Sequence, residues 1–282
     1  MCNVAINYKI IIAASLALGV LSACSSSDKE KAETLYAQAQ ECMGQGRYDE
    51  AMGLLDSMDH TYPAEVEIRR KGMHLRPKLI EQTTLNELSK TDSLLAVTQL
   101  KSDSIAKYIS KVDNPIEPYY VAADFKGKDV TSSPGLYARI TPEGQFYMLS
   151  SLNKPVHCTS VMVAMPDGVS ASTSVVPYDG ERNDRQDGCE VITFMQAECD
   201  TIGALVSKNA DAKFTLTFNG DKSYSIPLPE SQLKGIATMY EAASLLRNLK
   251  VYQIRKTHLE KQLELARNQQ ARTYNEENQG NE

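Results

Sequence analysis

The stretch AASLLRNLKVYQIRKTHLEKQLELA, residues 242–266, repeats a row of core-suited residues at alternating intervals of three and four. This spacing puts the row on one face of a helix and is the heptad pattern of a coiled coil. Because no proline follows residue 229, we predict one long helix over 230–272. Such a helix is marginal alone and needs a partner. The row is Ala242, Leu245, Leu249, Tyr252, Lys256, Leu259, Leu263 and Ala266, and only Lys256 is unsuited to a seam.

Residues 78–113 are the predicted partner, because they contain almost no helix breakers. Pro77 should end or kink the helix before them, and Asp113-Asn114-Pro115 should end the stretch. We expect 78–113 and 230–272 to pair antiparallel as a coiled-coil stalk. Self-association of two C-terminal helices is the alternative. The expected apolar row is Leu85, Leu88, Leu95, Ala106 and Ile109, with Asp92, Gln99 and Ser102 as polar interruptions.

Residues 116–229 differ in character and predict a β-rich domain inserted between the two helices. Two hairpins stand out, one around Pro142 and Gly144 and a stronger one around Asn219-Gly220. An antiparallel sandwich or barrel suits about seven short strands. The predicted class is therefore α+β, a β head on a helical stalk. Expected strands are 136–140, 145–149, 159–164, 169–176, 189–194, 213–218 and 223–226, with a short helix over 197–209.

Residues 32–76 predict an N-terminal helical hairpin, with a turn at Gly44-Gln45-Gly46 and an end at Pro63. The core Gly46-Arg-Tyr48-Asp-Glu-Ala51 resembles a tetratricopeptide repeat. The pattern occurs once, whereas a stack needs about three units to build a peptide-binding groove. The resemblance therefore implies a local hairpin packed on its own chain.

The N-terminus has the order of a secretion signal: a charge at Lys9, an apolar run over 10–21, and small residues before Cys24. The run is too short to span a bilayer, which takes about 20 residues. Leu21-Ser22-Ala23-Cys24 resembles the lipobox of bacterial lipoproteins. The resemblance implies removal of the signal peptide 1–23, a diacylglycerol on the Cys24 sulfur and acylation of its amino group. Cys24 is the expected lipid attachment residue.

Residues 24–31 are predicted to form a tether, and residues 273–282 a disordered polar tail. In lipoproteins of enterobacterial type, a residue other than Asp after the lipidated cysteine is compatible with the outer membrane, and Ser25 meets this condition. The acidic segment SSSDKE is similar to tethers that accompany export to the cell surface. Both the periplasmic and the cell-surface face of the outer membrane therefore remain open.

Charge and cysteine content exclude some functions. The formal net charge is −6, which offers no electrostatic reason to bind nucleic acid. In the expected mature chain Cys42, Cys158, Cys189 and Cys199 remain; they form either two disulfides or buried free thiols. Their spacing fits no metal site.

The loop 177–188 carries oxygen ligands at some positions of a calcium-loop count, starting with Asp179. However, Asp184 replaces the glycine of that loop, and Arg182 and Arg185 bring positive charge. A solvated loop held by its own Arg and Asp pairs is the better interpretation. No phosphate loop, Gly-x-Ser-x-Gly or His-Glu-x-x-His occurs, and the four histidines are scattered. We therefore expect no enzyme activity, no metal and no cofactor.

These features together predict a non-enzymatic, lipid-anchored envelope protein that acts as a scaffold or accessory subunit. The expected partners are the membrane, through the N-terminal lipid, and another envelope protein. The alternative is a surface lipoprotein whose β domain binds a glycan or other ligand, which would need an aromatic platform. Its candidate residues are Tyr119, Tyr120, Tyr137, Phe146, Tyr147 and Tyr178.

Overall fold

The computed structural model describes residues 27–186 and 188–279, with side chains up to residue 273. The predicted signal peptide 1–23, the lipobox and Cys24 lie outside the described residues. The described chain divides into two compact units, one containing residues 27–87 and 259–279 and the other Leu88–His258. The predicted α+β class is confirmed, because helices and two antiparallel sheets are both present.

Five α-helices occur in the described part of the chain. None of these described helices combines the length and the hydropathy that crossing a bilayer requires. In chain order they are α1 (Asp28–Gly44), α2 (Tyr48–Thr61), α3 (Val66–Ile105), α4 (Asp200–Lys208) and α5 (Glu230–Gln279).

In the first unit, α1 begins inside the predicted tether 24–31. The Ser27 hydroxyl accepts a hydrogen bond from the Glu30 backbone N–H at 3.3 Å. In return, the Glu30 carboxylate accepts one from the Ser27 N–H at 3.0 Å. This reciprocal capping box satisfies two backbone donors at the helix start, so the helix begins at Asp28. The tether prediction is therefore too long at its C-terminal end.

The predicted hairpin is present as α1 and α2. Gly46 has φ +75°, a left-handed conformation that glycine adopts without steric cost, and it lies in the turn between the helices. Ala39 and Ala51 are fully buried, which lets the helices approach closely. Their core also includes Ala32, Cys42, Leu55, Met58, Ile68, Leu75 and Leu79.

The predicted end of a helix at Pro77 is wrong, since α3 continues through this residue, while the alternative of a kink stays a prediction. An internal proline costs a helix about 3 kcal/mol. Contacts around it hold the helix in place. The Arg76 guanidinium binds Asp56 at 2.7 Å and Asp59 at 2.9 Å on α2, and the Pro77 carbonyl accepts a hydrogen bond from Gln270 at 3.2 Å. Tertiary contacts therefore outweigh the local preference.

α3 ends at Ile105, well before the predicted boundary at residue 113. The strand β1 (Ile109–Val112) follows and pairs antiparallel with β2 (Tyr119–Ala122). The β-branched residues Ile109 and Val112 suit an extended conformation. The sequence Asp113-Asn114-Pro115, predicted to stop a helix, lies instead in the turn between these strands. The β-rich region thus begins before residue 116.

The burial pattern of α5 matches the predicted row. Ala242, Leu245, Leu249 and Ala266 are buried, and the remaining members of the row are half-buried. All residues from 250 to 265 that do not belong to the row are exposed. One face of α5 is therefore covered over this whole length.

Every second residue of the buried row of α3 differs from the predicted row. Thr84, Thr91 and Thr98 are buried at intervals of seven, whereas Asp92 and Gln99 are exposed. A threonine offers a methyl group to a packed face while its hydroxyl stays near its own helix backbone. Two of the three expected polar interruptions, Asp92 and Gln99, therefore lie outside the buried row of α3, whereas Ser102 is half-buried within it.

Ten strands form two antiparallel sheets in the described residues, and these sheets are open, so the barrel alternative is wrong. The six-stranded sheet has the order β1-β2-β3-β4-β8-β7 and the four-stranded sheet the order β10-β9-β5-β6. Both predicted hairpins are present as β3–β4 and β9–β10. The remaining strands are β3 (Gly135–Ile140), β4 (Phe146–Leu152), β5 (Ser160–Ala164), β6 (Ser170–Ser172), β7 (Asn183–Gln186), β8 (Cys189–Met195), β9 (Thr215–Asn219) and β10 (Ser223–Pro227).

One hydrophobic core in the second unit receives side chains from both sheets, α4 and the first turns of α5. Its largest fully buried aromatic residues are Phe146, Phe194 and Phe218. The Phe146 ring meets Tyr240 of α5 edge-on, with ring centroids 5.2 Å apart. α5 is thus packed against the β-rich part of its own unit.

Buried polar groups connect the two sheets. The Glu190 carboxylate on β8 accepts hydrogen bonds from the backbone N–H groups of His157 at 2.8 Å and Cys158 at 2.7 Å, just before β5. The Asn183 amide on β7 donates to the carbonyls of Cys158 at 3.0 Å and Val176 at 2.8 Å. These bonds satisfy backbone groups that no strand pairs.

Candidate protein-binding surface

Besides Leu100 and Leu246, four apolar side chains of α3 and α5 in the second unit are exposed. The exposed fractions are 43% for Leu94, 52% for Val97, 58% for Val251 and 52% for Ile254. Solvent exposure of single apolar residues is ordinary, but a contiguous group indicates an interaction surface. Whether these four residues are contiguous depends on their level along the helices and on their side of the pair.

The ion pair between Asp92 and Lys256, whose side chains lie 2.7 Å apart, shows which residues of α3 and α5 lie at the same level along the helices. The helices are antiparallel, so residues displaced equally from this pair in opposite directions lie at one level. Val97 is five residues after Asp92, and Val251 is five before Lys256. Leu94 and Ile254 match in the same way. Leu94 and Val97 therefore each lie at the level of an apolar residue of α5, whereas the exposed Leu100 lies at the level of Asn248.

A cavity of about 560 Å³ at the end of α3 shows on which side of the helix pair these residues lie. On α3 and the following turn it is lined by Lys101, Ser104 and Tyr108, which continue the face of Leu94 and Val97 at intervals of four and three. All five side chains are exposed.

On α5 the same cavity is lined by Lys234 and Glu241, and the next residues at intervals of seven are Asn248 and Arg255. Val251 lies between these two on the same face. Leu94, Val97, Val251 and the cavity therefore belong to one side of the helix pair, whereas Ile254, four residues after Lys250, points away from α3. We call this surface the α3/α5 face; it consists of Leu94, Val97, Lys101, Ser104, Tyr108 and Val251.

The cavity has an apolar floor and a polar rim. Ile105, Ala122 and Phe125 form the floor with Gly235, where a Cβ atom would lie 2.8 Å from the Phe125 ring. A side chain at position 235 would thus push the ring aside. The rim contains Ser104, Ser231, Thr238, Lys101, Lys234, Asp124 and Glu241.

One rim cation is already paired. The Lys234 ammonium lies 2.6 Å from the Glu230 carboxylate, and this hydrogen bond raises the pKa of Lys234 and lowers the pKa of Glu230. Lys101 has no ion pair among the described residues. It is therefore the rim cation available to a ligand.

The helical segments behind the α3/α5 face are basic although the chain as a whole carries a formal net charge of −6. Between Glu241 and Glu260, α5 contains no acidic residue. Asp92, the single acidic residue of α3 between Glu87 and Asp103, pairs with Lys256. The basic residues of the two segments are Lys90, Lys101, Arg247, Lys250, Arg255 and Lys256.

The six aromatic residues of the predicted glycan platform differ in burial and in their contacts. Phe146 and Tyr137 are buried, and Tyr120 packs against the core. Tyr119 lies under the Arg139 guanidinium at 4.0 Å, and Tyr178 lies under Arg185 at 4.7 Å. Tyr147 is half-buried on β4, and burial raises the pKa of its hydroxyl.

The predicted loop 177–188 is a loop only up to Arg182, because Asn183–Gln186 form strand β7. Asp179 holds this first part. One Asp179 carboxylate oxygen accepts hydrogen bonds from the backbone N–H groups of Glu181, Arg182 and Asn183, each at 2.9 Å, and these bonds lower the pKa of Asp179. Arg182 extends out of the loop to Glu198. The pairing predicted within the loop is therefore replaced by backbone capping. Position 187 lies outside the described residues.

The four predicted mature cysteines other than Cys24 are free thiols, as the second of the two open alternatives predicts. Cys42, Cys158 and Cys199 are buried and Cys189 is half-buried. Burial raises the pKa of Cys158 to about 11 and that of Cys199 to about 12. The described histidines do not join a cluster: His157 contacts Asp221 at 2.7 Å. Within the described ranges, no group of three or more potential metal ligands occurs.

The sequence contained a signal for the α3/α5 face that heptad reasoning passes over. Leu94, Val97 and Val251 are apolar residues outside the predicted rows, and they have no role in the seam. Comparison of the chain with protein-family models, curated proteins and solved structures gave no match.

Proposed function

We propose that the chain is a non-enzymatic, lipid-anchored scaffold or accessory subunit of a cell-envelope complex, and that it binds its protein partner through the α3/α5 face. The observation that carries the proposal is the exposure of Val97 and Val251 at one level and on one side of the helix pair, next to Leu94 and the cavity. Contiguous exposed apolar residues rimmed by polar ones are typical of protein interaction sites.

The finer architecture proposed is an antiparallel coiled coil of α3 and α5 with a sandwich of the two sheets. The intervals of three and four along the α5 row support the coiled coil. The shared core of both sheets supports the sandwich.

The anchor is proposed from the lipobox Leu21-Ser22-Ala23-Cys24, and it would hold the chain at the outer membrane on either its periplasmic or its cell-surface face. Multiple acyl chains bury enough CH2 groups, at about 0.8 kcal/mol each, for stable attachment. Cys24→Ala should move the protein from the membrane fraction to the soluble fraction. Tight association of this variant with membranes would contradict the anchor, whatever the fate of the partner-binding proposal.

The partner-binding proposal is tested by photo-cross-linking in intact cells that express the full chain. A photoreactive amino acid at Val97 or Val251 should give the same protein adduct. The matched control places it at Lys250, which is exposed, adjacent to Val251 in sequence and on the opposite flank of α5. Absence of an adduct at both test positions, or an equal adduct at Lys250, would sink the proposal.

A further inference from the structure

We propose that the partner presents an amphipathic helix with acidic flanks, which lies along the α3/α5 face. This inference rests on the proposed function and names the chemistry of the partner. An apolar stripe flanked by Asp and Glu residues would match the apolar and basic groups found there.

The dimensions of the face suit a short helix. Leu94 and Tyr108 are separated by 14 positions, which corresponds to about 21 Å at the rise of an α-helix. The groove between two packed helices accepts the ridge of a third helix. A segment of about four turns therefore covers the face from its apolar end to the cavity.

The apolar groups determine which side of the partner helix faces inward. Leu94, Val97 and Val251 would contact one apolar stripe of the partner helix, whose residues recur at intervals of three and four. At the other end, the cavity of about 560 Å³ offers Ile105, Ala122 and Phe125 to a large apolar side chain. Burial of such an anchor is where interfaces gain most of their affinity.

The charges determine the flanks of the partner helix. Arg247 and Lys256 are paired with Asp200 at 3.3 Å and Asp92 at 2.7 Å, while Lys101 has no ion pair among the described residues. The acidic rim residues Asp124 and Glu241 lie at the cavity end only. Acidic side chains of the partner are thus expected beside the stretch from Leu94 to Lys101.

The same charges argue against a second copy of this chain as the occupant. Two copies facing each other level with level would bring the Lys101 ammonium of one face against that of the other, with Asp92, the single acidic residue of α3 between Glu87 and Asp103, already paired with Lys256. Like charges at an interface cost free energy and select against that pairing. An anionic lipid surface shares the attraction to cations, so it is a separate arm of the test.

The test uses the full-length lipidated protein in nanodiscs of zwitterionic lipid. The probes are two fluorescent synthetic helices of 14 residues with the same leucine stripe, one with Glu and one with Lys on the flanks. Fluorescence anisotropy should show the Glu peptide binding about tenfold or more tightly than the Lys peptide, with the difference decreasing in high salt.

Three variants locate the binding. Val97→Glu should weaken the Glu peptide about tenfold or more, because it puts a charge in the apolar contact. Lys101→Glu should weaken it several-fold. Lys250→Glu reverses a charge on the opposite flank and should leave affinity unchanged. Each variant's circular dichroism and melting temperature establish that it is folded.

Equal binding of the two peptides, or binding that ignores Val97→Glu and Lys101→Glu, overturns the inference. So does preferential, Val97-dependent binding to anionic vesicles, or concentration-dependent dimerisation that Val97→Glu abolishes. Adducts at Val97 and Val251 in cells that persist with Lys101→Glu would leave the scaffold role intact while removing the acidic helix. Loss of the adducts themselves removes the scaffold role.

Discussion

The Lys256 ammonium on α5 lies 2.7 Å from a carboxylate oxygen of Asp92 on α3, although the two residues are 164 positions apart. Each is a polar residue that heptad reasoning identifies as a defect in its own helix. The structure makes them partners: Lys256 occupies a half-buried place in the α5 row, and Asp92 meets it from the exposed edge of α3. The pair therefore specifies how the two helices align.

Lys256→Glu should destabilise the second unit by more than Lys256→Ala. The first change places a carboxylate beside Asp92, whereas the second removes only an attraction. Ion pairs that are exposed to this extent are worth about 0.2–1 kcal/mol. Urea denaturation of the single variants measures both losses.

The double variant D92K/K256E restores the pair with its charges exchanged and should recover most of the stability lost in K256E. A double variant no more stable than K256E would mean that Asp92 and Lys256 do not interact.

Glu190→Ala should be strongly destabilising, because it leaves the backbone N–H groups of His157 and Cys158 without their acceptor. A buried donor left unsatisfied costs about 1–3 kcal/mol. Glu190→Gln keeps one acceptor oxygen and should lose less stability than Glu190→Ala. Chemical denaturation compares both with Glu181→Ala, an exposed glutamate of a neighbouring loop. Equal stability of the Glu190→Ala and Glu181→Ala variants would contradict the role of this carboxylate.

Cys189 should react first when the folded protein is treated with iodoacetamide at pH 8. With a pKa of about 11, the Cys158 thiol is ionised in only about one molecule in a thousand at that pH, and Cys199 in fewer. Mass spectrometry of peptides should show Cys42, Cys158 and Cys199 protected until urea is added. Labelling of Cys158 as fast as Cys189 would refute its burial.

Glu81 should make the first unit sensitive to acid. Its carboxylate accepts hydrogen bonds from Arg267 at 2.8 Å and Gln270 at 2.7 Å, and these lower its pKa below the ordinary value of 4.5. Because the pKa is lower in the folded state, the ionised Glu81 carboxylate stabilises the fold at pH values above the ordinary pKa. This stabilisation is lost as the pH falls through the folded-state pKa.

Glu81→Gln should therefore cost about 0.5–1 kcal/mol at pH 7 and almost nothing below pH 3. Melting curves of the wild type and variant across this range are the measurement. A constant difference in melting temperature at all pH values would assign the effect to shape rather than to charge.

Sequence periodicity predicted the α5 row well because its leucines recur at helical intervals with no competing pattern. It failed on α3 because Thr84, Thr91 and Thr98 count as polar in a hydropathy pattern, whereas each has a methyl group that packs. The predicted helix end at Pro77 failed for a different reason. The contacts of Arg76 with Asp56 and Asp59 join residues that no local rule connects.

Sequence periodicity also could not predict the α3/α5 face. Val97 and Val251 are 154 positions apart, and only the antiparallel alignment of their helices puts them at one level. Without the Asp92–Lys256 contact, each valine is an isolated exposed residue. A pair of charges that periodicity treats as defects thus locates the surface.

The capping box at Ser27 limits the freedom of the proposed anchor. A chain extends at most about 3.6 Å per residue, so the distance from a lipidated Cys24 to the capping residue Ser27 would be at most about 11 Å. A partner captured by the chain would then be recruited to the membrane surface itself. Inserting a flexible spacer after Ser25 would increase that distance and is expected to extend the radius over which partners are captured.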